Sequence, residues 1–144
     1  TCLVLVLALA GCEGAPGPEI SSTAPYKEFI GAEYRVVGDQ LRAFGVYASM
    51  DEKTAISYVL LLPFGIGGRE IAFERPVPKG QVFRILSAWR EFRYFDPSAV
   101  YYLVRLADSD LPPNVPIHVR LQGDNAGVGG DLNPAIFERL PTKP

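Results

Sequence analysis

Cysteine is nearly absent from this sequence: its 144 residues hold only Cys2 and Cys12, and none follows. Beyond Cys12 the chain therefore has no disulfide and no thiol for catalysis or zinc ligation. Histidine is scarcer still. A hydrolytic triad would have to use His118, the single one, with Ser87, Ser98 or Ser109 as nucleophile. No Gly-x-Ser-x-Gly stretch surrounds those serines, and Gly65 to Gly68 lacks the Lys-Ser/Thr of a phosphate-binding loop. Neither sign of charge dominates. With 14 Lys and Arg against 16 Asp and Glu, the net charge of -2 argues against nucleic acid as a partner. No apolar run reaches the roughly 20 residues that a helix needs to cross a bilayer.

What the chain does have near its start is an apolar run, Leu3 to Ala10, that continues into Gly11 and Cys12. Its length suits the apolar region of a signal peptide. The small residues in Leu9-Ala10-Gly11-Cys12 resemble the lipobox of bacterial lipoproteins. The resemblance implies cleavage ahead of Cys12, so that residues 1–11 are a signal peptide whose basic beginning lies upstream of Thr1. It also implies a lipid on Cys12 that makes the membrane this protein's partner, and loss of Cys2 with the leader. Glu13 stands where the inner-membrane retention signal of enteric lipoproteins has Asp. The implied location is the cell envelope, at the outer membrane facing the periplasm. The competing reading is a buried strand ending in Gly-Cys, which fits less well directly ahead of a Pro/Gly-rich stretch.

Residues 13–25 contain Gly14, Pro16, Gly17, Pro18 and Pro25, with Ile20 as the one sizeable aliphatic residue. That composition reads as a flexible tether, which with the lipidated Cys12 makes a 12–25 segment holding a 26–144 domain about 20 to 40 Å from the lipid. A chain that is 48% hydrophobic and 11% aromatic supports one globular domain without disulfides or metal.

From Tyr26 onward, short β-branched and aromatic runs are punctuated by Gly, Pro and Asp. Strands are expected over 33–37, 40–49, 54–64, 69–75, 81–89, 100–106 and 117–121. Gly38-Asp39 suits a two-residue hairpin turn between the first two, and Pro78 with Gly80 suits a tight reversal before Gln81. In 54–64, Ile56, Tyr58, Leu60 and Leu62 share one face while Val59 and Leu61 line the other. Phe83, Ile85 and Trp89 are expected inward in the strand after Gln81. Asp96-Pro97 and Asn133-Pro134 suit helical starts, the latter giving a short helical turn over Ala135 to Arg139 near the C-terminus. The expected class is all-β, as a small antiparallel barrel (SH3-like or similar) or a sandwich of about seven to eight strands.

Three places could carry function. His118 is expected on the outward face of its strand with Arg120, either solvated or as the base of a lipid-anchored hydrolase. Asp124, Asn125, Asp131 and Asn133 bring oxygen ligands onto one glycine-rich loop, but their spacing matches no calcium motif, and a mobile loop is the expectation. Arg90, Phe92, Arg93, Tyr94 and Phe95 combine aromatics with arginines, the mixture typical of recognition surfaces, beside Trp89, Tyr101 and Tyr102. The function expected is a non-enzymatic binding or structural module of the envelope, taking a protein or glycan partner through the 90–95 segment. No cofactor or metal is implied.

Overall fold

Alternating apolar side chains set the strands of the computed structural model, which describes residues 16–49, 51, 53, 55–91 and 99–144. Among them are β1 (Pro16–Glu19), β2 (Glu33–Val36), β3 (Arg42–Tyr47), β4 (Ile56–Leu62), β5 (Ile71–Pro76), β6 (Val82–Glu91), β7 (Val100–Leu106), β8 (Ile117–Arg120) and β9 (Phe137–Arg139). The protein is all-β. Two single 3-10 turns, Tyr26–Glu28 and Gly123–Asn125, are the only helical elements among the described residues.

The strands form one sheet in the order β5-β3-β4-β8-β7-β6-β2-β9, with β1 also on β6. Neighbours run antiparallel except β4 and β8, which are parallel, with Val59 beside Ile117 and Leu60 beside His118. The terminal strands β5 and β9 do not pair, so the sheet is not a closed barrel. It nevertheless rolls around one core, because Phe73 of β5 and Phe137 of β9 pack into the same cluster. The gap between the two ends of the ladder is crossed by chain rather than by hydrogen bonds. Residues 37–41 lead from β2 to β3 and residues 77–80 lead from β5 to β6, with Leu41 and Val77 buried at the crossing. A second, smaller cluster of Phe44, Leu60 and Leu62 lies under Tyr58, Ile66 and Ile71. The two-sided burial expected of β4 is thus met: Val59 and Leu61 serve the main core, Leu60 and Leu62 the small one.

Residues 16–25 are not a tether. β1 lies along β6 with Pro16 opposite Glu91 and Glu19 opposite Trp89, and Ile20 is buried with its N–H donating to Ala88 O at 2.8 Å. The prolines and glycine that suggest flexibility suit an edge strand instead. A Cβ on Gly17 would stand 2.4 Å from Arg90 O, so only glycine permits this approach. β1 and β2 share the same edge of β6, and the excursion between them buries Phe29 and sets Tyr26 edge-on to Tyr102 at 6.4 Å.

Both expected tight connections differ from hairpins. Gly38 lacks the positive φ of such a turn, and β2 pairs with β6 and β9, not β3. Its glycine serves contact: a Cβ there would meet Ile136 Cα at 3.3 Å, and the N–H groups of Val37 and Gly38 both reach Ile136 O. At 78–81, Gln81 N–H donates to Pro78 O and Gly80 has φ +87, which makes a turn that Pro78 opens, with Lys79 and Gly80 at its two corners. The turn leads from the strand at one end of the ladder to the third strand from the other end, since β5 and β6 do not pair.

The expected helical turn over Ala135 to Arg139 is shorter. Asn133 Oδ1 accepts the Ala135 N–H at 3.0 Å and one turn follows, after which Phe137–Arg139 is β9, paired with β2. Burial of Phe137, 5.6 Å edge-on to Phe83, draws the chain into the sheet. In β6 a register shift between Ile85 and Ser87 adds Leu86 and turns Ala88, not Trp89, to the core. The Asp96-Pro97 start lies outside the described residues.

Candidate functional site

Four strands, β4, β8, β7 and β6, present their outward side chains as one continuous surface. His118 does point outward, but it is half-buried. Its ring lies between Tyr58, at 4.9 Å and 12°, and Tyr101, at 4.2 Å and 24°. The parallel β4-β8 pairing and the antiparallel β7-β8 pairing bring these three rings, from distant parts of the sequence, onto neighbouring strands. Burial and the Arg120 guanidinium, opposed by Glu91, push the His118 pKa from 6.5 down to about 4. The imidazole is therefore neutral at pH 7. Burial also raises the Tyr101 hydroxyl above its usual range, helped by the Glu91 charge.

Next along this surface, Arg120 Nε and Nη2 donate to Glu91 Oε2 at 3.1 Å and Oε1 at 2.9 Å. Both side chains are mostly covered, at 15% and 18% exposure, which makes this a bidentate pair in a partly desolvated setting. Trp89 Nε1 donates to Ser87 Oγ at 2.8 Å. Leu111 N–H donates to Ser109 Oγ at 3.1 Å in the loop after β7, so these two candidate nucleophiles are engaged with their own neighbourhoods rather than with His118. Ser98 lies outside the described residues.

Of the aromatic and basic segment, Arg90 is described: it lies near the end of β6, half-buried, opposite Val100. Phe92, Arg93, Tyr94 and Phe95 lie outside the described residues, as does Cys12. The flanking tyrosines are buried on opposite faces. Tyr101 joins the His118 stack, whereas Tyr102 faces inward and donates its hydroxyl to Gly130 O at 2.6 Å.

The glycine-rich loop uses its oxygen-bearing side chains on the chain itself. Asp131 Oδ1 accepts the Tyr34 hydroxyl and the Leu132 N–H, both at 2.7 Å. Asn125 is fully buried, with Nδ2 donating to Leu61 O at 2.9 Å and Oδ1 left without a partner. Asn133 Nδ2 donates to Asp124 O at 2.7 Å. Gly123, Gly129 and Gly130 take the positive φ that lets the loop fold back over the core. The bonds to Tyr34 and Leu61 tie the loop to β2 and β4. Among the described residues no three His, Cys, Asp or Glu side chains converge as a metal site.

Sequence periodicity gave no sign of one further surface. Leu86, the extra residue of β6, lines an open groove of about 530 Å³ together with Leu103, Leu106, Leu111, Val115 and Pro116. A bulge is the feature that alternation cannot reveal, because it changes which side chain faces out.

The sequence matches no protein family, and no curated protein and no solved structure is similar to it.

Proposed function

We propose that this chain is a lipid-anchored lipoprotein of the bacterial cell envelope, with the lipid on Cys12 and a non-enzymatic β domain that binds a partner or serves a structural role. The observation that carries this reading is the apolar run closed by Leu9-Ala10-Gly11-Cys12, with both cysteines confined to it and its junction. The folded domain fits the reading: its described part carries no thiol and needs no disulfide, because the rolled sheet encloses a continuous core. The outer membrane is the favoured location because Glu13 follows Cys12.

The proposed partner is an envelope protein or glycan, met through Arg90 and the Phe92, Arg93, Tyr94 and Phe95 that follow it. Several acyl chains give stable anchoring at ~0.8 kcal/mol per buried CH₂. In cells fed labelled palmitate, the wild-type protein should take up label and partition with detergent. Cys12→Ala should be unlabelled and either uncleaved or soluble. Equal labelling and membrane retention of both proteins would sink the assignment. Capture from detergent-solubilised envelopes tests the partner, with Arg93→Ala/Tyr94→Ala expected to weaken it at least several-fold while the fold persists.

A further inference from the structure

We infer that the end of the sheet where β1 begins lies against the lipid surface, an inference that rests on the lipidation of Cys12 proposed above. The argument is one of chain length. Pro16 is already paired with Glu91, so only residues 13–15 separate the folded sheet from Cys12. Four backbone steps span at most about 14 Å. That is shorter than the sheet itself, since β6 from Val82 to Glu91 extends for about 30 Å. The lipid therefore cannot reach around the domain, and the anchor chooses which end faces the membrane.

Four strand ends define that face. β6 finishes at Glu91 and β7 starts at Val100, their backbones joined where Glu91 N–H donates to Ala99 O at 2.8 Å. β8 finishes beside them, with Leu121 N–H donating to Val100 O at 2.9 Å. β4 runs parallel to β8 and so ends on the same side, followed by Phe64, which is 48% exposed. The exposed, wholly apolar ring of Phe64 suits the boundary between lipid headgroups and acyl chains. The Arg120-Glu91 pair is satisfied internally, so it brings no uncompensated charge to that surface. At the opposite end β7 runs out at Leu106 toward Asp110, whose side chain is 91% exposed. A partner that uses Arg90 is consequently met at headgroup height.

The test uses the lipidated full chain, purified and reconstituted in phosphatidylethanolamine/phosphatidylglycerol vesicles containing a nickel-chelating lipid. A nitroxide is attached through Gln122→Cys near the β8 end, or through Asp110→Cys at the far end. The label at 122 should be relaxed by headgroup nickel at least several-fold more than the label at 110. Inserting twenty Gly/Ser residues between Ala15 and Pro16 adds a coil of about 25 Å and should abolish most of that difference. Equal relaxation at the two sites in lipidated protein without the insert overturns the orientation while leaving the anchor intact. Palmitate-free protein that stays in the aqueous phase overturns both, and the two failures are told apart by the palmitate label alone.

Discussion

The hydroxyl of Tyr34, on β2, donates to Asp131 Oδ1 at 2.7 Å, joining the edge of the sheet to the glycine-rich loop across 97 residues of sequence. Tyr34 is 1% exposed and stacks on Phe83 at 5.8 Å, so its ring belongs to the core while its oxygen pins the loop. Burial, with the bond to Asp131, keeps the hydroxyl protonated well above its usual range. Tyr34→Phe keeps the ring and removes the bond, and should cost about 1.5–3 kcal/mol in denaturant unfolding, as for hydrogen bonds to charged groups. Asp131→Asn retains an acceptor and should cost less.

Asn125 reaches β4 from the same loop, and its environment makes charge intolerable. Asn125→Ala loses the bond to Leu61 O and should destabilise the fold by about 1–3 kcal/mol. Asn125→Asp would turn a carboxylate toward a carbonyl in a fully buried site. At pH 7 it should be less stable than Asn125→Ala, recovering part of the loss as the pH falls and the carboxyl protonates. Chemical denaturation at pH 7 and pH 4 measures both.

Gly45 on β3 lies under the ring of Phe73 on β5, where an added Cβ would stand 2.3 Å from the ring edge. Gly45→Ala must displace that ring and should cost about 1–3 kcal/mol. In a Phe73→Ala background the same change should cost much less. A double-mutant cycle in urea reads the coupling, and strict additivity would show that the contact does not constrain the backbone.

His118 should make stability depend on pH. Its pKa is lowered in the fold, so between about pH 6.5 and pH 4 the unfolded chain binds a proton that the folded chain refuses. Stability is therefore full above pH 6.5 and falls on acidification toward pH 4, below which this group adds no further change. The upper bound is about 3 kcal/mol at ~1.36 kcal/mol per unit, reduced by residual solvent access. His118→Gln should flatten that part of the profile. A profile unchanged by the substitution would mean that other groups carry the acid sensitivity.

Arg120→Lys should also destabilise, because one ammonium cannot replace two parallel donors on Glu91. A loss of about 1–3 kcal/mol is expected in thermal unfolding, and Arg120→Ala should lose more by leaving a mostly buried carboxylate with less compensation.

Strands such as β4 and β7 were legible in the sequence because alternation and β-branching act locally, and β7 runs over Val100–Leu106 as read. Pairing was not. Gly38 looks like a hairpin turn by composition, yet the side-chain contact with Ile136, nearly a hundred residues away, dictates its place. Trp89 is not on the inward face for a related reason: the bulge that adds Leu86 reverses the faces of the strand without changing its composition. Of the site, the outward direction of His118 followed from its neighbours Ile117 and Val119, but its burial between Tyr58 and Tyr101 required knowing which strands are adjacent.

The sequence by itself determined the all-β class, the inward residues of most strands and the confinement of cysteine to Cys2 and Cys12, because these depend on residue type and short-range period. Tertiary structure alone decided that residues 16–25 belong to the domain. An isolated Pro/Gly-rich segment has too little apolar surface to order itself, and it becomes a strand here only because β6 offers an unpaired edge and Ile20 finds a place in the core. The same applies to the Gly123 to Asn133 loop. Its polar side chains acquire fixed partners only once Tyr34 and Leu61 are brought beside them.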